Sequence, residues 1–454
     1  MTDQSLRGFL NMVETEFPED FVRVSEPVRQ ELDITSSVFE FERHGKSPVL
    51  LFENVEGFNN QVVTNTAGNR RLLAAVLGVV EPFQTGIGGD CFALLSLSGN
   101  KLVGYNGSGK SPKGARFDWY LDNQFDEIPG DSAHAVTIPG ALEAWSTLIK
   151  DYGTMSLEDV LQPAIGYAEN GFPVHSRASF DWRRSEELLR KNPEASSIFL
   201  PGGEPPSVGQ VFFQKGLAKA LQLIAKKGPE TFYTDWIAEK MVHCLRELGG
   251  HHTVEDFSDH KGCYVTPIST TYRGYEIFQI PPNNQGITAL LLLNILEQFS
   301  LLDMDPMGPE RLHLEIEAAR LAYADRDALI GDVSPDRLID ELLSKDYAKG
   351  RSRLIDLDNA GKGSHPAAPH GSDTVYLCVV DKDRNAVSLI SSIFHTFGSG
   401  VVVPSTGVLL QNRGAGFRLK DGHPNCIGPS KRPLHTIMPG MVYKADTMVM
   451  PIGV

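Results

Sequence analysis

The sequence has few of the features that mark membrane-bound, nucleic-acid-binding or disulfide-rich proteins. Its longest apolar stretch, residues 287–296, falls short of the roughly 20 residues that a membrane-spanning helix needs. Basic residues are in the minority, with 42 Lys and Arg against 57 Asp and Glu, and the net charge of −15 argues against nucleic acid or an anionic membrane as a partner. The five cysteines form no CxxC pair, so neither a zinc site nor a disulfide framework is predicted.

The sequence also shows no pattern of a secretion signal and no internal repeat. The first residues, MTDQSLRGFLNMVETEF, carry acidic side chains and interrupt their apolar run after a few positions. The content of 41% hydrophobic and 22% charged residues is that of an ordinary globular chain. We therefore expect a cytoplasmic protein, and a length of 454 residues allows two or three domains.

Helical and strand-like segments follow one another in an order that predicts an α+β fold with αββα layering. Strands such as VYLCVV are apolar on both faces, so they should lie between layers rather than on a wetted surface. The predicted elements are an amphipathic helix over 1–20, short strands before a helix at 65–80, a glycine-rich hairpin at 81–112, helices at 140–152, 156–170, 215–228 and 235–248, strands at 262–280, helices at 286–300 and 308–330, and strands at 374–380, 386–394 and 400–412.

The boundary at Thr374 allows two interpretations. Residues 356–373, DLDNAGKGSHPAAPHGSD, are polar and rich in Gly, Ala and Pro, and a loop of this length inside a compact domain is often functional or processed. Threonine suits the start of a strand because it is β-branched. Cleavage before Thr374 would instead make its hydroxyl an N-terminal nucleophile, with the freed α-amino group as the base.

Six motifs follow one another over residues 78–454. They are VEPFQTGIGGDCFALL (80–95), VTIPGALEAW (136–145), FQIPPNNQGITALLLLNILE (278–297), DTVYLCVVDKDRNAVSLISS (373–392), FGSGVVVPSTGVLLQN (397–412) and KRPLHTIMPG (431–440). In this order they resemble the γ-glutamyltransferase (glutathione hydrolase) superfamily of N-terminal-nucleophile hydrolases. The resemblance implies a four-layer αββα sandwich and an amide hydrolase or acyltransferase that cleaves its own chain. It implies a small-molecule amide or peptide substrate, no cofactor and no metal.

The resemblance assigns self-cleavage to the bond between Asp373 and Thr374. Thr374 is then the catalytic nucleophile, and the resulting fragments, with domain parts 78–373 and 374–454, stay associated as large and small subunits. Ser392 matches a hydroxyl residue that supports the nucleophile in the family. An ordinary hairpin serine is an equal alternative for Ser392.

Several positions differ from the γ-glutamyl enzymes and change the expected substrate. Ser108 stands where the family has an arginine that binds the substrate's α-carboxylate, and Gly416 stands where it has an acid that binds the α-amino group. A serine pair that also contacts the carboxylate is replaced by His435 and Thr436. A zwitterionic γ-glutamyl group therefore loses charge-assisted hydrogen bonds, which are the strong ones.

These replacements resemble the branch of the family that includes acylase and oxamate amidohydrolase relatives. We expect a substrate amide whose acyl group carries one acid and no essential α-amine. Lys110, Arg413 and His435 are candidate contacts for that acid, and Ser108 and Thr436 complete the expected substrate-binding set.

Two other patterns are interpreted as structural. The GIGGD segment (86–90) lacks the spacing of a phosphate loop and runs into a strand, so it predicts a tight turn. The group His251, His252, Asp256 and His260 has no ligand triad at a recognised spacing, so these residues are expected on the surface rather than around a metal.

The N-terminal segment, residues 5–77, contains LRGFL, FVRVSEPVRQELDITSSV, PVLLFENVEG and VVTNTAGNRRLLAAVLGV. In these stretches it resembles the N-terminus of the prenylated-flavin-dependent aromatic-acid decarboxylases (the 3-octaprenyl-4-hydroxybenzoate carboxy-lyase family). The resemblance implies a small α/β appendage at 1–77 without that family's flavin, metal and catalytic residues. The alternative function is therefore a non-catalytic fusion or interaction module.

The C-terminal end carries a separate expectation. The resemblance to the γ-glutamyltransferase superfamily implies a Gly-Gly turn, which forms the oxyanion hole, beyond residue 454. A C-terminally truncated sandwich is therefore expected.

Overall fold

The chain divides into two compact units, Met1–Arg71 and Leu72–Val454. Most of the predicted helix at 1–20 and of the loop at 356–373 lies outside the described residues. The computed structural model describes residues 14–15, 18, 21–25, 49–52, 62–64, 73–98, 101–361 and 374–454.

The first unit contains a small sheet of three strands, β1 (Phe21–Val24), β2 (Val49–Phe52) and β3 (Val62–Thr64). Strand β2 is central, and it pairs in parallel with β1 and antiparallel with β3.

The second unit is built on two larger sheets. Its strands are β4 (Asp90–Leu97), β5 (Lys101–Gly107), β6 (Phe172–Pro173), β7 (Val211–Phe212), β8 (Cys263–Val265), β9 (Ile268–Tyr272), β10 (Tyr275–Gln279), β11 (Val375–Val380), β12 (Ala386–Ser392), β13 (Val402–Val403), β14 (Val408–Leu409), β15 (Pro439–Lys444) and β16 (Thr447–Gly453). One sheet has the order β11-β12-β4-β5-β8, and the other has the order β16-β15-β10-β9.

Helices cover the outer faces of the two sheets. None of the helices within the described ranges is both long and apolar enough to cross a membrane. The α-helices are Leu73–Val80, Phe117–Asp122, Ala141–Tyr152, Leu157–Asn170, Ser176–Arg184, Glu186–Lys191, Pro193–Phe199, Lys215–Lys227, Glu230–Tyr233, Trp236–Glu247, Val254–Ser258, Gly286–Leu296, Pro309–Leu329, Asp336–Leu343 and Lys345–Ser352.

Strand β4 shows how the side chains define the layers. Phe92 and Leu94 point to one face, where they pack with Met441 of the other sheet. Cys91 and Ala93 point to the opposite face and join the core under the helices. Because successive side chains of a strand alternate between faces, an apolar run on β4 fills two cores at once.

The outer face of the second sheet is covered in the same way. Leu290, on the helix Gly286–Leu296, packs against Ile277 of β10 and Val442 of β15. The layers therefore run helix, sheet, sheet, helix, and the predicted α+β fold with αββα layering is confirmed.

An aromatic cluster stabilises the helical layer next to the five-stranded sheet. Trp182 is fully buried, and its ring lies 5.0 Å from that of Phe212 and 5.5 Å from that of Phe397. We expect Trp182→Ala to lower the free energy of unfolding by about 3–5 kcal/mol, because it leaves a large cavity. Chemical denaturation measures this change. Phe180→Ala on the same helix is the control, since Phe180 is 53% exposed, and an equal loss there would contradict the packing.

The predicted single strand at 400–412 is wrong. The segment forms two short strands, β13 and β14, which pair with each other. The turn between them contains Ser405 and Gly407 at φ values of 67° and 65°, in the left-handed region. Pro404 has no N–H to donate, so a continuous ladder is interrupted at this point.

Candidate active site

Polar residues lie side by side at the ends of three neighbouring strands. In the antiparallel β11–β12 pair, Val375 lies opposite Ser391. Thr374, one residue earlier, is therefore next to Ser392, and Ser392 is opposite Asp90, the first residue of β4. The Oγ1 atom of Thr374 and the Oγ atom of Ser392 are 3.3 Å apart, within hydrogen-bond distance. The structure brings the two predicted catalytic residues together.

The hydroxyl of Ser392 has further hydrogen-bond neighbours. The backbone N–H of Phe394 donates to Ser392 Oγ at 3.0 Å. The Nη2 atom of Arg413 donates to the same oxygen at 3.4 Å. Ser392 is fully buried, whereas Thr374 is half-buried. Ser392 thus lies between the predicted nucleophile and a buried cation.

Arg413 opens the 3₁₀ helix Arg413–Gly416 and has no solvent exposure. Its Nη1 atom donates to Thr436 Oγ1 at 3.1 Å. Its guanidinium carbon lies 4.1 Å from the centre of the Phe394 ring, a cation–π geometry. Burial lowers the pKa of Arg413 to about 10, and the negative charge of Asp90 opposes that shift. The guanidinium therefore stays charged at neutral pH.

Asp90 is a buried carboxylate that the sequence analysis did not single out. Its Oδ1 atom accepts hydrogen bonds from the backbone N–H groups of Gly109 at 2.9 Å and Gly140 at 3.1 Å. Burial raises the pKa of Asp90 to about 6, and the Arg413 cation limits that rise. Asp90 and Arg413 thus carry opposite charges that interact within the buried interior. The only sequence signal is an acid between the GIGG turn and the apolar run CFALL.

His435 is close to this pair but is not charged. Its Nε2 atom is 3.3 Å from Asp90 Oδ2, the distance of an ion pair. Burial, with the positive charges of Arg413 and Arg432, holds the pKa of His435 well below its usual range. The imidazole is neutral at pH 7, so it offers no cation to a substrate acid. The ring meets Phe92 edge-on at a centroid distance of 5.0 Å.

Ser108 is part of a buried amide network that sequence reasoning missed. Its hydroxyl donates to Asn106 Oδ1 at 2.6 Å and accepts from Asn283 Nδ2 at 3.2 Å. Asn106 Nδ2 also donates to Asn283 Oδ1 at 2.9 Å. The network joins β5 to the PPNNQG turn (281–286). Ser108 is fully buried, and its hydroxyl is already used in these bonds.

Lys110 differs from the other predicted acid contacts because it is only half-buried. Its backbone is fixed, since Lys110 O accepts from the N–H of Ile138 at 3.0 Å and the preceding residue, Gly109, donates to Asp90. Counting only residues with described positions, its ammonium group has no hydrogen bond or ion pair. Lys110 is therefore the candidate cation with free bonding capacity.

Gly416 is not required by packing. A Cβ atom added there would have one neighbour within 4 Å, the carbonyl oxygen of Leu434 at 3.7 Å, which is an ordinary contact. The position has room for a side chain at Cβ. The backbone around Gly416 therefore does not exclude a side chain such as the acid that the resemblance places here.

The expectation that the histidine-rich segment lies on the surface is wrong for most of its members. His252 and Asp256 are buried, and His260 is 9% exposed. Asp256 caps the helix Val254–Ser258 by accepting from the N–H of Thr253 at 2.9 Å. Burial lowers the pKa of His252 to about 4. In the structure as described, no cluster of three or more metal-ligating side chains is found.

The GIGGD segment forms the predicted turn, with β4 beginning at Asp90. A Cβ atom on Gly89 would lie 2.4 Å from the carbonyl oxygen of Ser392. The glycine therefore lets the backbone of β4 approach the strand that carries Ser392.

Comparison with known proteins places this chain in a family. The family model for gamma-glutamyltranspeptidase matches residues 73–454. The chain belongs to the gamma-glutamyltranspeptidase family. This membership confirms the predicted N-terminal-nucleophile hydrolase fold and enzyme class, and it favours the enzyme over the non-catalytic alternative.

Individual members of the gamma-glutamyltranspeptidase family are similar over most of the chain. The "Glutathione hydrolase-like YwrD proenzyme" of Bacillus subtilis (strain 168) is 42% identical over 376 residues, which are 82% of this chain and 70% of that protein. The "Oxamate amidohydrolase proenzyme" of Klebsiella pneumoniae is 32% identical over 388 residues, 84% of this chain and 72% of that protein. The crystal structure of cephalosporin acylase from Bacillus halodurans has a TM-score of 0.75 and 37% identity, covering 83% of this chain and 70% of that one.

The family and its proenzymes define the general activity. The chain is an autoprocessing amide hydrolase or acyltransferase of the N-terminal-nucleophile class, with a small-molecule substrate and two fragments in its mature form. A second family model, the 3-octaprenyl-4-hydroxybenzoate carboxy-lyase N-terminal domain, matches residues 14–84. The predicted resemblance of the N-terminal segment is therefore also confirmed.

Proposed function

We propose that Thr374 is the nucleophile in both maturation and amide hydrolysis. The 3.3 Å contact between Thr374 Oγ1 and Ser392 Oγ, at the start of β11, supports this assignment. In maturation, Thr374 Oγ1 attacks the carbonyl carbon of Asp373, which lies outside the described residues. The peptide C–N bond breaks, the hydroxyl proton passes to the Thr374 nitrogen, and an ester forms. Water then hydrolyses the ester, restoring the hydroxyl and leaving an α-carboxylate on Asp373.

The N-terminus that maturation creates supplies the base for turnover. A free α-amino group has a reference pKa of about 8, so a fraction of it is unprotonated at neutral pH. It takes the Thr374 hydroxyl proton as Oγ1 attacks the substrate carbonyl, and the proton then passes to the leaving amine. The acyl ester on Thr374 is released to water or to an acceptor amine.

The preferred substrate in this proposal is an amide whose acyl group carries one carboxylate and no α-amine. The two charges expected to bind a γ-glutamyl group are absent, because a serine stands at 108 and a glycine at 416. The hydroxyl of Ser108 already donates a hydrogen bond to Asn106. Among the residues that the structure describes, the ammonium group of Lys110 has no partner, so it can pair with the single acid. The similar oxamate amidohydrolase is named for a small amide that carries one carboxylate.

Three chromogenic amides of equal chain length test this preference. We expect kcat/KM for glutaryl-p-nitroanilide to exceed that for γ-glutamyl-p-nitroanilide, which adds an α-amine, by about tenfold or more. It should exceed that for valeryl-p-nitroanilide, which lacks the acid, by a similar factor, since charge-assisted hydrogen bonds stabilise the bound carboxylate.

Lys110→Met provides the matched variant for this experiment. It should reduce the ratio of glutaryl to valeryl turnover, because the removed charge contacts only the acid. Comparable turnover of the glutaryl and γ-glutamyl substrates by the unchanged enzyme would count against the proposed acyl group.

Domain boundaries at 77/78 and 373/374 belong to the same proposal, with 1–77 as an appendage that has no chemistry of its own. The overlap of the two family matches at residues 73–84 supports a junction in this region. A cytoplasmic location, a part in glutathione metabolism and the absence of nucleic-acid or membrane partners stay predictions of the sequence.

A further inference from the structure

Arg413 has no part in the chemistry described above, although its contacts lie beside the nucleophile. We propose that Arg413 is a positioning residue, which holds the Ser392 hydroxyl as a hydrogen-bond donor to Thr374 Oγ1. The inference rests on the proposed role of Thr374, and it adds a buried cation that acts on Thr374 through Ser392. The relay consists of Arg413, Ser392 and Thr374.

The hydrogen bonds of Ser392 fix the direction of the relay. A serine hydroxyl has one hydrogen to donate and two lone pairs that accept. The N–H of Phe394 and the Nη2 of Arg413 are donors only, and both point at Ser392 Oγ, at 3.0 and 3.4 Å. They occupy both lone pairs, so the Ser392 hydrogen is directed to the remaining neighbour, Thr374 Oγ1 at 3.3 Å. Without Arg413, one lone pair is free and the Ser392–Thr374 bond can run in either direction.

This direction suits the nucleophile. Because Thr374 Oγ1 accepts from Ser392, the hydrogen of Thr374 stays available to the base. A donor beside Oγ1 stabilises the negative charge that develops there as the proton leaves, and again as the ester C–O bond breaks. A donor that is itself polarised by a cation is a stronger one. The relay therefore acts in maturation and in turnover.

The surroundings of Arg413 fit an internal role rather than contact with substrate. The side chain has no exposure, its Nη1 is bonded to Thr436, and Phe394 covers one face of the guanidinium. A buried cation needs a compensating charge, which the carboxylate of Asp90 supplies. The backbone N–H of Gly109 holds Asp90 in place.

A double-mutant cycle tests the relay. Arg413→Met keeps the unbranched, apolar first part of the side chain and removes the guanidinium donors, and Ser392→Ala removes the group through which Arg413 acts. We expect Arg413→Met to slow self-cleavage of purified precursor, and kcat of the matured enzyme, by about tenfold to a hundredfold. KM should change by less than about twofold, because no substrate contact is lost. In the Ser392→Ala background, Arg413→Met should have less than about a threefold effect.

The double variant that combines Asp90→Asn with Arg413→Met is a substitute in case Arg413→Met alone does not fold. It leaves no unpaired buried charge, and the Asn Oδ1 can still accept from Gly109. If Arg413→Met alone does not fold, this neutral pair replaces it in the cycle. A loss of equal size with and without the Ser392 hydroxyl, or a loss confined to KM, overturns the relay.

Thr374→Ala separates this inference from the proposed function. If Thr374→Ala still cleaves itself, the nucleophile is wrong and the proposed function fails. If Thr374→Ala stays uncut while Arg413→Met matures at the normal rate, the proposed function stands and the relay alone is overturned.

Discussion

Replacing Thr374 by alanine should leave a single uncut chain of 454 residues with no measurable amidase activity. The change removes the oxygen that we propose as the nucleophile in both maturation and turnover, while Val375 and the rest of β11 stay paired with β12. Loss of a covalent nucleophile costs about ten-thousand-fold or more in rate. Denaturing electrophoresis and intact-mass spectrometry distinguish the whole chain from fragments of 373 and 81 residues.

Thr374→Ser is the matched control for this experiment. It keeps the hydroxyl and removes one methyl group, so the chain should still divide at the same bond. Division of the Thr374→Ala chain at the same bond, or amide turnover by an undivided wild-type chain, would exclude the N-terminal nucleophile.

Gly89→Ala should slow self-cleavage by about a hundredfold or more, even though the substitution adds only one methyl group. The new Cβ atom would lie 2.4 Å from the carbonyl oxygen of Ser392 and 2.9 Å from its carbonyl carbon. The backbone at Gly89 cannot withdraw easily, because its own carbonyl accepts from the N–H groups of Gly140 and Ala141 at 2.9 Å. A displacement of about 1 Å at a reacting group is enough for a loss of this size. The time course of precursor cleavage measures it.

Gly428→Ala controls for the effect of an added methyl group as such. A Cβ atom at Gly428 has no neighbour within 4 Å, and its φ is not in the left-handed region. Cleavage at the normal rate is expected. A normal rate for Gly89→Ala as well would show that the close approach of β4 to Ser392 is not needed for maturation.

Much of the helical layer could be predicted from periodicity alone. The expected helices at 140–152, 156–170, 215–228 and 235–248 match Ala141–Tyr152, Leu157–Asn170, Lys215–Lys227 and Trp236–Glu247. Each has an apolar face at helical spacing and a turn or a cap at its ends, so local sequence contains the necessary information.

The β15–β16 hairpin was not predicted because its turn has no usual signal. Ala445 and Asp446 adopt φ values of 46° and 62°, where glycine or Asn-Gly is the common sequence. The surrounding ladder holds two ordinary residues in this conformation. The turn therefore depends on the pairing of β15 with β16, which a local sequence pattern does not show.

The candidate site was predictable only in part, for a related reason. Thr374 and Ser392 were found through the order of motifs along the chain. Asp90 was missed because its importance depends on burial, on the N–H groups of Gly109 and on the charge of Arg413. These groups come from distant parts of the sequence and meet only in the folded protein.

The order of strands in the two sheets determines how the two proposed fragments, 1–373 and 374–454, would be held together after cleavage. Strand β12 of the smaller fragment pairs with β4 of the larger one in the first sheet. Strand β15 of the smaller fragment pairs with β10 of the larger one in the second sheet. The two fragments therefore share two backbone hydrogen-bond ladders and one hydrophobic core, rather than meeting only at their surfaces. Cleavage at the proposed bond would therefore create a free terminus without releasing a subunit, and that terminus would stay beside Ser392 because β11 remains paired with β12.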